Sequence, residues 1–501
     1  MSKNLLNGIK DIENLGYTEN GGVKRKSTFN AVYDMFAWGG SYRSRTKEDK
    51  IELFKNAYKE DKELALKCLF YLRDILEGQG ERQFFKDCYH WFAIEDSMVA
   101  LQLMPYISDF GRWDDMYCLV DTPIEEYMFK YLNTVFRCDM NSKTPSLLGK
   151  WLKSINTSSA ESRALGAKTA KAFGLNFKQY RKALAALRTK INIVEKLMCE
   201  NRWDEIEFDK IPSKAGIKYS NAFARRDIIK QKYKTFMASD ETTVNAKTLY
   251  PADIISKVLE HYYHRWGRLD NISEEEQLVI EKYWNNLTDY FNGAVFNGVA
   301  VVDTSASMTG TPMEVAIALG IYCAEKVGKD SPFYKHYISF SSEAKLVEIK
   351  GDNLCEKVKT IYKNSIVADT NIESVFNLIL KTAIANNLSN EDIPKNVIII
   401  SDMEFNSCTE CCDDVEYKTV MENIMNKFNE RGYSIPHLIF WNVDARSSNI
   451  PMKEKEGITF VSGYSPVVYD MIMKGKTGIE LMKEKLLSNR YKTISINKKR
   501  K

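Results

Sequence analysis

Three oxygen-bearing side chains stand at alternate positions directly after an apolar run, in the stretch VVDTSASMTG at residues 301–310. Asp303, Ser305 and Ser307 fall in the predicted loop that leaves a buried strand, so their oxygens can converge on one point. Hard oxygen ligands in such a loop suit Mg²⁺, which prefers near-octahedral geometry and few direct protein carboxylates. The spacing therefore predicts a divalent-cation site, with Mg²⁺ as the expected ion.

Two further oxygen ligands are expected from neighbouring loops. Thr370 stands just before a predicted helix in VADTNIESVF, and Asp402 ends the next predicted strand in IIISDMEF. If the serines and Thr370 ligate through neutral hydroxyls, the carboxylates can bind through water. The ion then keeps positive charge and an open position, which would attract an acidic group of a protein partner.

Two other interpretations fit the same residues. Ser305 and Ser307 could simply cap the helix that begins near Pro312. A Mg²⁺ enzyme of the phosphatase or nuclease type usually needs several direct carboxylates, whereas the inner positions here are serines. The sequence contains no HExxH motif, Walker loop or nucleophile elbow, so we expect a protein that is not an enzyme.

The part of the chain that carries these residues has the pattern of an α/β domain. Short runs rich in Val, Ile and Phe alternate with helical stretches after about residue 291; the runs are GVAVVD, HYISFS, NVIIISD and IPHLIFWN. This alternation predicts a mostly parallel, doubly wound sheet with helices on both faces. Such sheets bind ligands at the carboxyl ends of their strands, where Asp303 and Asp402 fall.

The preceding part of the chain has a helical pattern instead. From about residue 28 to 290, apolar residues recur every three or four positions. KELALKCLFYLRDIL and NFKQYRKALAALRTKINIVEKLM (176–198) are each predicted to form one amphipathic helix. We predict stacked helix pairs, a solenoid or a bundle, with the solenoid favoured. The expected organisation is an N-terminal segment (1–27), a helical domain (28–290), an α/β domain (291–487) and a basic tail (488–501).

Basic residues are concentrated in one part of the helical region. Residues 161–240 hold 18 basic and 9 acidic residues, and no acidic residue lies between Arg163 and Lys190. Several of these basic side chains lie off the apolar stripe of their helix and could neutralise phosphates. A solvated helix face is the alternative. The predicted RNA-binding residues are Arg163, Lys168, Lys171, Lys178, Arg181, Lys182, Arg188, Arg225 and Arg226.

Composition restricts the class of protein more than its ligand. The chain has 501 residues, with 71 basic against 67 acidic residues, a balance too mild to indicate nucleic acid by itself. No apolar run reaches the length of a membrane span, and the cysteines lack disulfide spacing, so we expect a cytoplasmic protein. Cys408, Cys411 and Cys412 have partly zinc-like spacing without a second pair, which favours a surface loop.

The α/β part of the sequence resembles a known adhesion module. Asp-x-Ser-x-Ser at 303–307, followed by Thr370 and Asp402, is similar to the metal-ion-dependent adhesion site of von Willebrand factor A domains. All five positions of that site are filled without substitution. The resemblance implies an α/β doubly wound domain that binds Mg²⁺ and an acidic group on a protein partner.

The helical part carries a second resemblance, in FGRWDDM, LLGKWLKS, YRKALAALR and NAFARRD. These stretches resemble an uncharacterised two-domain family of plants, bacteria and phages, which in turn resembles the TROVE module of the Ro autoantigen. That resemblance implies a HEAT-like ring of helical repeats and a ribonucleoprotein scaffold that binds structured or misfolded RNA. A protein–protein adaptor that uses the metal site without RNA is the alternative.

Overall fold

The computed structural model describes residues 2–191, 193–264, 272–340, 343–364, 370–406, 419–447, 449–453 and 457–496. Cys408, Cys411 and Cys412 lie outside these residues. The chain divides into two compact units. We call Met1–Cys68 with Leu249–Asn489 the sheet unit, and Leu69–Thr248 with Arg490–Lys501 the helical unit. Residues 28–68 and 249–290, expected in the helical domain, thus cluster with the sheet.

Each strand found in the described residues belongs to the sheet unit. The strands are β1 (Leu15–Tyr17), β2 (Val23–Arg25), β3 (Gly298–Asp303), β4 (His336–Phe340), β5 (Lys345–Glu348), β6 (Asn396–Ser401), β7 (His437–Asn442) and β8 (Ile458–Ser462). β1 and β2 form an antiparallel hairpin. The predicted strands β3, β4, β6 and β7 are confirmed within a residue or two, whereas β1, β2, β5 and β8 escaped prediction.

In the part of the chain that the structure describes, a six-stranded sheet has the order β5-β4-β3-β6-β7-β8. Only β5, at one edge, pairs antiparallel with its neighbour, so the prediction of a mostly parallel sheet is confirmed. The Val- and Ile-rich strands β3 and β6 lie in the middle of the sheet, where their residues are buried on both faces.

The strand order reverses between β3 and β6. The chain passes from β3 to β4 on one side, whereas it passes from β6 to β7 on the other side. Neighbouring loops therefore leave the sheet in opposite directions at the carboxyl ends of β3 and β6. A crevice opens at such a switch point, which is the usual ligand position in sheets of this kind.

The α-helices of the described residues are numbered here in chain order. They are α1 (Ser2–Glu13), α2 (Ala31–Trp38), α3 (Lys47–Glu60), α4 (Lys62–Arg73), α5 (Arg82–Glu95), α6 (Ser97–Leu103), α7 (Ile107–Phe110), α8 (Glu125–Asn141), α9 (Leu148–Trp151), α10 (Ala160–Ala172), α11 (Phe177–Ile191), α12 (Val194–Cys199), α13 (Ser213–Arg225), α14 (Asp227–Ala238), α15 (Pro251–His264), α16 (Glu274–Asn285), α17 (Thr311–Lys326), α18 (Leu354–Asn364), α19 (Ile372–Ala385), α20 (Val420–Glu430), α21 (Val467–Ile472) and α22 (Gly478–Leu486). None of those described is both long and apolar enough to cross a membrane.

Helices from both ends of the sheet unit's sequence pack on the sheet. α17 packs on β3 and β6, and α15 packs on α17. At the β8 edge, α2 and α22 contact β8 and each other. The N-terminal stretch is therefore part of the same packed layers as the strands that carry Asp303 and Asp402.

The helical unit contains α5 to α14. The apolar stripe expected on α11 is confirmed, since Tyr180, Leu184 and Leu187 are buried. The prediction of one continuous helix over residues 176–198 is wrong, because α11 ends at Ile191 and α12 begins at Val194. Ile193 has an extended backbone, and β-branched residues on both sides of the break have low helix propensity.

Candidate functional site

Two aspartates meet where the central strands end. Asp303 is the last residue of β3, and Asp402 follows Ser401, the last residue of β6. The strands are parallel neighbours, with Val302 opposite Ile400, so both carboxylates reach the same edge of the sheet. Neither aspartate is exposed to solvent. The structure thus brings together the two acidic residues that the sequence predicts as partners.

The carboxylate of Asp303 is held from two sides. Its Oδ1 accepts a hydrogen bond from the backbone N–H of Ser305 at 2.9 Å, and its Oδ2 accepts one from the hydroxyl of Ser401 at 2.5 Å. Burial raises the pKa of Asp303, which these hydrogen bonds oppose. Ser401 was not predicted, since a serine at the end of an apolar run has no distinctive spacing.

The two serines of the loop lie side by side. The hydroxyl oxygens of Ser305 and Ser307 are 3.0 Å apart, on a short 3₁₀ turn between β3 and α17. Neither side chain caps a helix, because α17 follows Gly310, whose left-handed φ of 93° sets the turn. The capping interpretation of these serines is therefore wrong, and their hydroxyls stay beside the carboxylates.

Asp402 is the least satisfied member of the group. Its Oδ1 accepts a hydrogen bond from the backbone N–H of Glu404 at 3.2 Å, while its Oδ2 is buried and has no hydrogen-bond partner among the described residues. Burial, and then the nearby charge of Asp303, raise the pKa of Asp402 to about 7. A buried carboxylate oxygen without a partner is costly, so this position favours a positively charged ligand.

Thr370 joins the group through the backbone. It is buried just before α19, and its carbonyl accepts a hydrogen bond from the N–H of Asn406 at 2.9 Å. Asn406 lies in the segment that follows Asp402, so this bond fixes the Thr370 loop against that segment. The described contacts thus link Asp303, Ser305 and Ser307 directly, place the Ser307 side chain beside Asp402, and attach Thr370 through its neighbour.

Glu404 is a third buried acid near the site that sequence reasoning missed. Its Oε2 accepts a hydrogen bond from the backbone N–H of Glu19 at 2.7 Å, and its Oε1 accepts one from the hydroxyl of Ser447 at 2.9 Å. The available signal was an acid two residues after Asp402. Its partners could not be predicted, because Glu19 lies 385 residues before Glu404 in the sequence and Ser447 lies 43 residues after it.

The β1–β2 hairpin packs against the segment that follows Asp402. Thr18 Oγ1 donates to the carbonyl of Phe405 at 2.6 Å, and Gly21 bridges to Asn406. At Gly22 a Cβ would meet the carbonyl oxygen of Phe405 at 2.5 Å, so only glycine permits this approach. The N-terminal hairpin of the sheet unit therefore lies directly against the segment that follows Asp402.

Arg446, after β7, contacts both the serine loop and the β1–β2 hairpin. Its guanidinium donates to the carbonyl of Ser307 and forms an ion pair with Glu19 at 3.5 Å. The serine loop, the hairpin and the loop after β7 are thus connected by one side chain. This arrangement restricts the movement of the loop that carries the two hydroxyls.

The donor set of the site is made of oxygen atoms. No cluster of three or more His, Cys, Asp or Glu side chains suited to a metal occurs within the described residues. A cation at the sheet edge would therefore need hydroxyl ligands beside the carboxylates of Asp303 and Asp402. Such a set could hold Mg²⁺, which prefers oxygen ligands and accepts water in the remaining positions.

The second predicted site lies on α10 and α11 of the helical unit. Lys171, Lys178, Arg181 and Lys182 are exposed, and none of their side chains has a hydrogen-bond or ion-pair partner in the part of the chain that the structure describes. We call these four residues the basic surface. Their charges are available to an anionic ligand.

Three other predicted basic residues, Arg163, Lys168 and Arg226, are engaged within the protein. Lys168 forms ion pairs with Asp121 at 3.0 Å and Glu125 at 3.1 Å, and Arg163 donates to the carbonyl groups of residues 157 and 158. Arg225 and Arg226 lie at the junction of α13 and α14, where the guanidinium of Arg226 is 4.8 Å from the centre of the Trp203 ring.

Arg188 is also engaged within the protein, through its guanidinium group. Its guanidinium donates to the carbonyls of Gly149 and Leu152, both at 3.0 Å, and to the hydroxyl of Ser154 at 3.1 Å. Burial lowers the pKa of Arg188. The Arg188 side chain therefore fixes the 149–154 segment. The sequence predicted it as an RNA-binding residue and gave no sign of this structural role.

Comparisons with known proteins match nearly the whole chain. Two family models match, each described as a domain of unknown function: DUF2828 over residues 18–125 and 146–293, and DUF7788 over residues 297–501. The chain is also similar to the Uncharacterized protein L728 of Acanthamoeba polyphaga mimivirus, with 32% identity over 92% of this chain and 85% of the viral protein. The chain therefore belongs to the two-domain family that joins the DUF2828 and DUF7788 regions.

Proposed function

We propose that this protein is a non-enzymatic binding protein whose sheet edge holds a divalent cation, with Mg²⁺ as the expected ion. The proposed ligands are Asp303, Ser305, Ser307, Thr370 and Asp402, in a domain of the von Willebrand factor A type. The buried Oδ2 of Asp402, which has no partner among the described residues and lies near a second buried carboxylate, carries this proposal.

A cation would relieve the main electrostatic cost of the site. Two buried carboxylates repel each other, and each also loses hydration. A divalent ion between them offsets both costs, while the paired hydroxyls of Ser305 and Ser307 add neutral ligands. Because hydroxyl ligands do not neutralise the ion, it can still attract an acidic group of a protein partner.

The identity of the inner residues favours binding over catalysis. Metal-dependent hydrolysis usually relies on several carboxylates that hold metal and activate a nucleophilic water. Here the loop positions after Asp303 carry serines, whose hydroxyl oxygens lie 3.0 Å apart, and Glu404 is engaged by the hairpin. We therefore propose that the cation recruits a partner and does not activate water.

Calorimetric titration of the full chain with Mg²⁺ tests this proposal. We expect binding to the wild-type protein, strong weakening in Asp303→Ala, and partial weakening in Ser307→Ala, which removes only one hydroxyl. Asp330→Asn is the matched control, because Asp330 is an exposed carboxylate of the same unit. Equal Mg²⁺ affinity in wild type, Asp303→Ala and Ser307→Ala would refute the cation site.

We also propose that the helical unit binds RNA, as a HEAT-like module related to TROVE would. The observation that favours this function is the basic surface of Lys171, Lys178, Arg181 and Lys182, which has no acidic partner in the described residues. Unpaired cations on adjoining helices can neutralise phosphates without reading sequence.

The absorbance ratio at 260 and 280 nm of protein purified at low salt gives a first test of RNA binding. Crosslinking in the native cell, followed by sequencing of the bound RNA, would identify the ligand. Protein without crosslinked RNA that still binds an acidic partner in Mg²⁺ would refute the RNA proposal and support an adaptor.

A further inference from the structure

A cavity of about 480 Å³ lies in the sheet unit, between α2 and α3. Its lining includes Trp38 and Tyr42 from the α2 region, Leu53 from α3, and Ile450. The cavity has the volume of a small-molecule site. None of the five proposed cation ligands lines it, so it is a separate feature of the molecule.

Phe29, at the rim of this cavity, has an unusual conformation. Its backbone is left-handed, with a φ of 65°, and 59% of the residue is exposed to solvent. Bulky residues rarely adopt this backbone, and burial of the ring does not compensate for the strain here. The exposed aromatic ring beside the cavity is therefore accessible to a ligand.

Asp34 holds the turn that presents Phe29. Its Oδ2 accepts from the hydroxyl of Ser27 at 2.6 Å, and its Oδ1 accepts from the backbone N–H and the hydroxyl of Thr28 at 3.0 and 2.6 Å. Burial raises the pKa of this carboxyl group, which lines the cavity. The turn before α2 is therefore fixed by side-chain contacts and does not depend on a ligand.

The charges that line the cavity do not balance. Arg45 pairs with Asp49 at 3.1 Å, so these two cancel. Glu52 and Glu60 then remain against a single cation, Lys26, since the carboxyl of Asp34 is occupied by its three hydrogen bonds. Glu52 is exposed and has no partner among the described residues, while Glu60 accepts one hydrogen bond, from the N–H of Ala31.

We propose that this cavity binds an organic cation, a guanidinium or alkylammonium group, between the aromatic ring of Phe29 and the carboxylates of Glu52 and Glu60. Aromatic faces attract cations, and a carboxylate makes charge-assisted hydrogen bonds with a guanidinium. A free small cation or a basic side chain of a peptide could supply this group. The observations that carry the proposal are the cavity, the strained exposed ring and the unbalanced charge.

Calorimetric titration of the full chain with matched probes tests the ligand class. The probes are agmatine, a capped Gly-Arg-Gly peptide, and the same peptide with citrulline, which keeps the shape but lacks the charge. We expect both guanidinium probes to bind, and the citrulline peptide to bind about tenfold more weakly or not at all. Tighter binding of agmatine would identify a small ligand, and tighter binding of the arginine peptide a peptide ligand. No binding of either, or equal binding of citrulline, would overturn the proposal.

Two substitutions separate ligand binding from folding. Phe29→Gly removes the ring and suits the left-handed backbone, so the melting temperature should stay equal or rise while the affinity falls about fivefold. Glu52→Gln should weaken binding about tenfold without a change in stability. Glu48→Gln on the same helix, outside the cavity lining, is the control and should leave the affinity unchanged. Wild-type affinity in Phe29→Gly and Glu52→Gln would contradict the assignment.

Discussion

The carboxylates at the ends of β3 and β6 and the basic side chains of α10 and α11 differ in what surrounds them. Asp303 and Asp402 are fully buried, and hydrogen bonds from Ser305 in its own loop and from Ser401 at the end of β6 fix Asp303 on two sides. Lys178 and Arg181 extend into solvent without a partner in the described residues. At the first site the fold surrounds each carboxylate with protein atoms, whereas at the second the charged groups face solvent.

Arg188 shows how far this difference can reach within one helix. It lies two turns from Arg181 on α11, yet its guanidinium makes three hydrogen bonds inside the protein. Arg188, which the sequence predicted as part of an RNA-binding surface, thus stabilises the fold instead. Substitutions at buried or engaged charges should therefore change stability, while those at exposed charges should change ligand affinity alone.

Arg188→Ala should give the largest change in stability. It removes three hydrogen bonds to the 149–154 segment, each of about 1 kcal/mol, so the free energy of unfolding should fall by roughly 3 kcal/mol. Urea denaturation measures this difference. Arg181→Ala is the control and should remain within about 0.5 kcal/mol of wild type. Equal stability of the two variants would remove the distinction between engaged and exposed arginines.

Asp402→Asn should stabilise the protein when divalent cations are chelated. The change removes one of two buried like charges and supplies an amide that can donate, so we expect a gain of roughly 2 kcal/mol. Added Mg²⁺ should stabilise the wild type by mass action but leave the variant unchanged. Thermal melting with EDTA and with Mg²⁺ checks both expectations. A variant less stable than wild type in EDTA would contradict the electrostatic account of the site.

Thr18→Val should loosen the β1–β2 hairpin beside the site. The Thr18 hydroxyl donates to the carbonyl of Phe405 and accepts from the N–H of Gly22, and its loss should cost about 1–2 kcal/mol. Hydrogen exchange at the Gly22 amide should then become faster than at the amides of β3. Unchanged protection of Gly22 would mean that the backbone pairing with Asn406 holds the hairpin alone.

Lys178→Glu with Arg181→Glu should have the smallest effect on the folded protein. We expect unchanged stability, about tenfold weaker RNA binding at low salt, and a salt dependence whose slope is lower by roughly one to two. Lys143→Glu with Lys247→Glu makes the same change of charge at exposed positions of the same unit and is the control. Equal RNA affinity of the two double variants would mean that the basic surface is only a solvated helix face and does not bind RNA.

Much of the sheet and of its edge could be predicted from local pattern. The apolar runs predicted β3 and β6, and the polar residues after them predicted which side chains would meet. The roles of Glu404 and Arg188 could not be predicted, because their partners are distant in sequence and no spacing rule connects them. The break between α11 and α12 was also missed, since the apolar periodicity continues through it.

The sequence by itself determined β3, β4, β6 and β7, the apolar stripe of α11 and the alternation of Asp303, Ser305 and Ser307, because backbone geometry and side-chain periodicity are local properties. Only the tertiary structure decided that the N-terminal stretch joins the sheet unit, that Asp402 keeps an oxygen without a partner among the described residues, and that α2 and α3 line a cavity. Burial, hydrogen-bond satisfaction and enclosed volume depend on contacts between distant segments, and these exist only once the layers have packed.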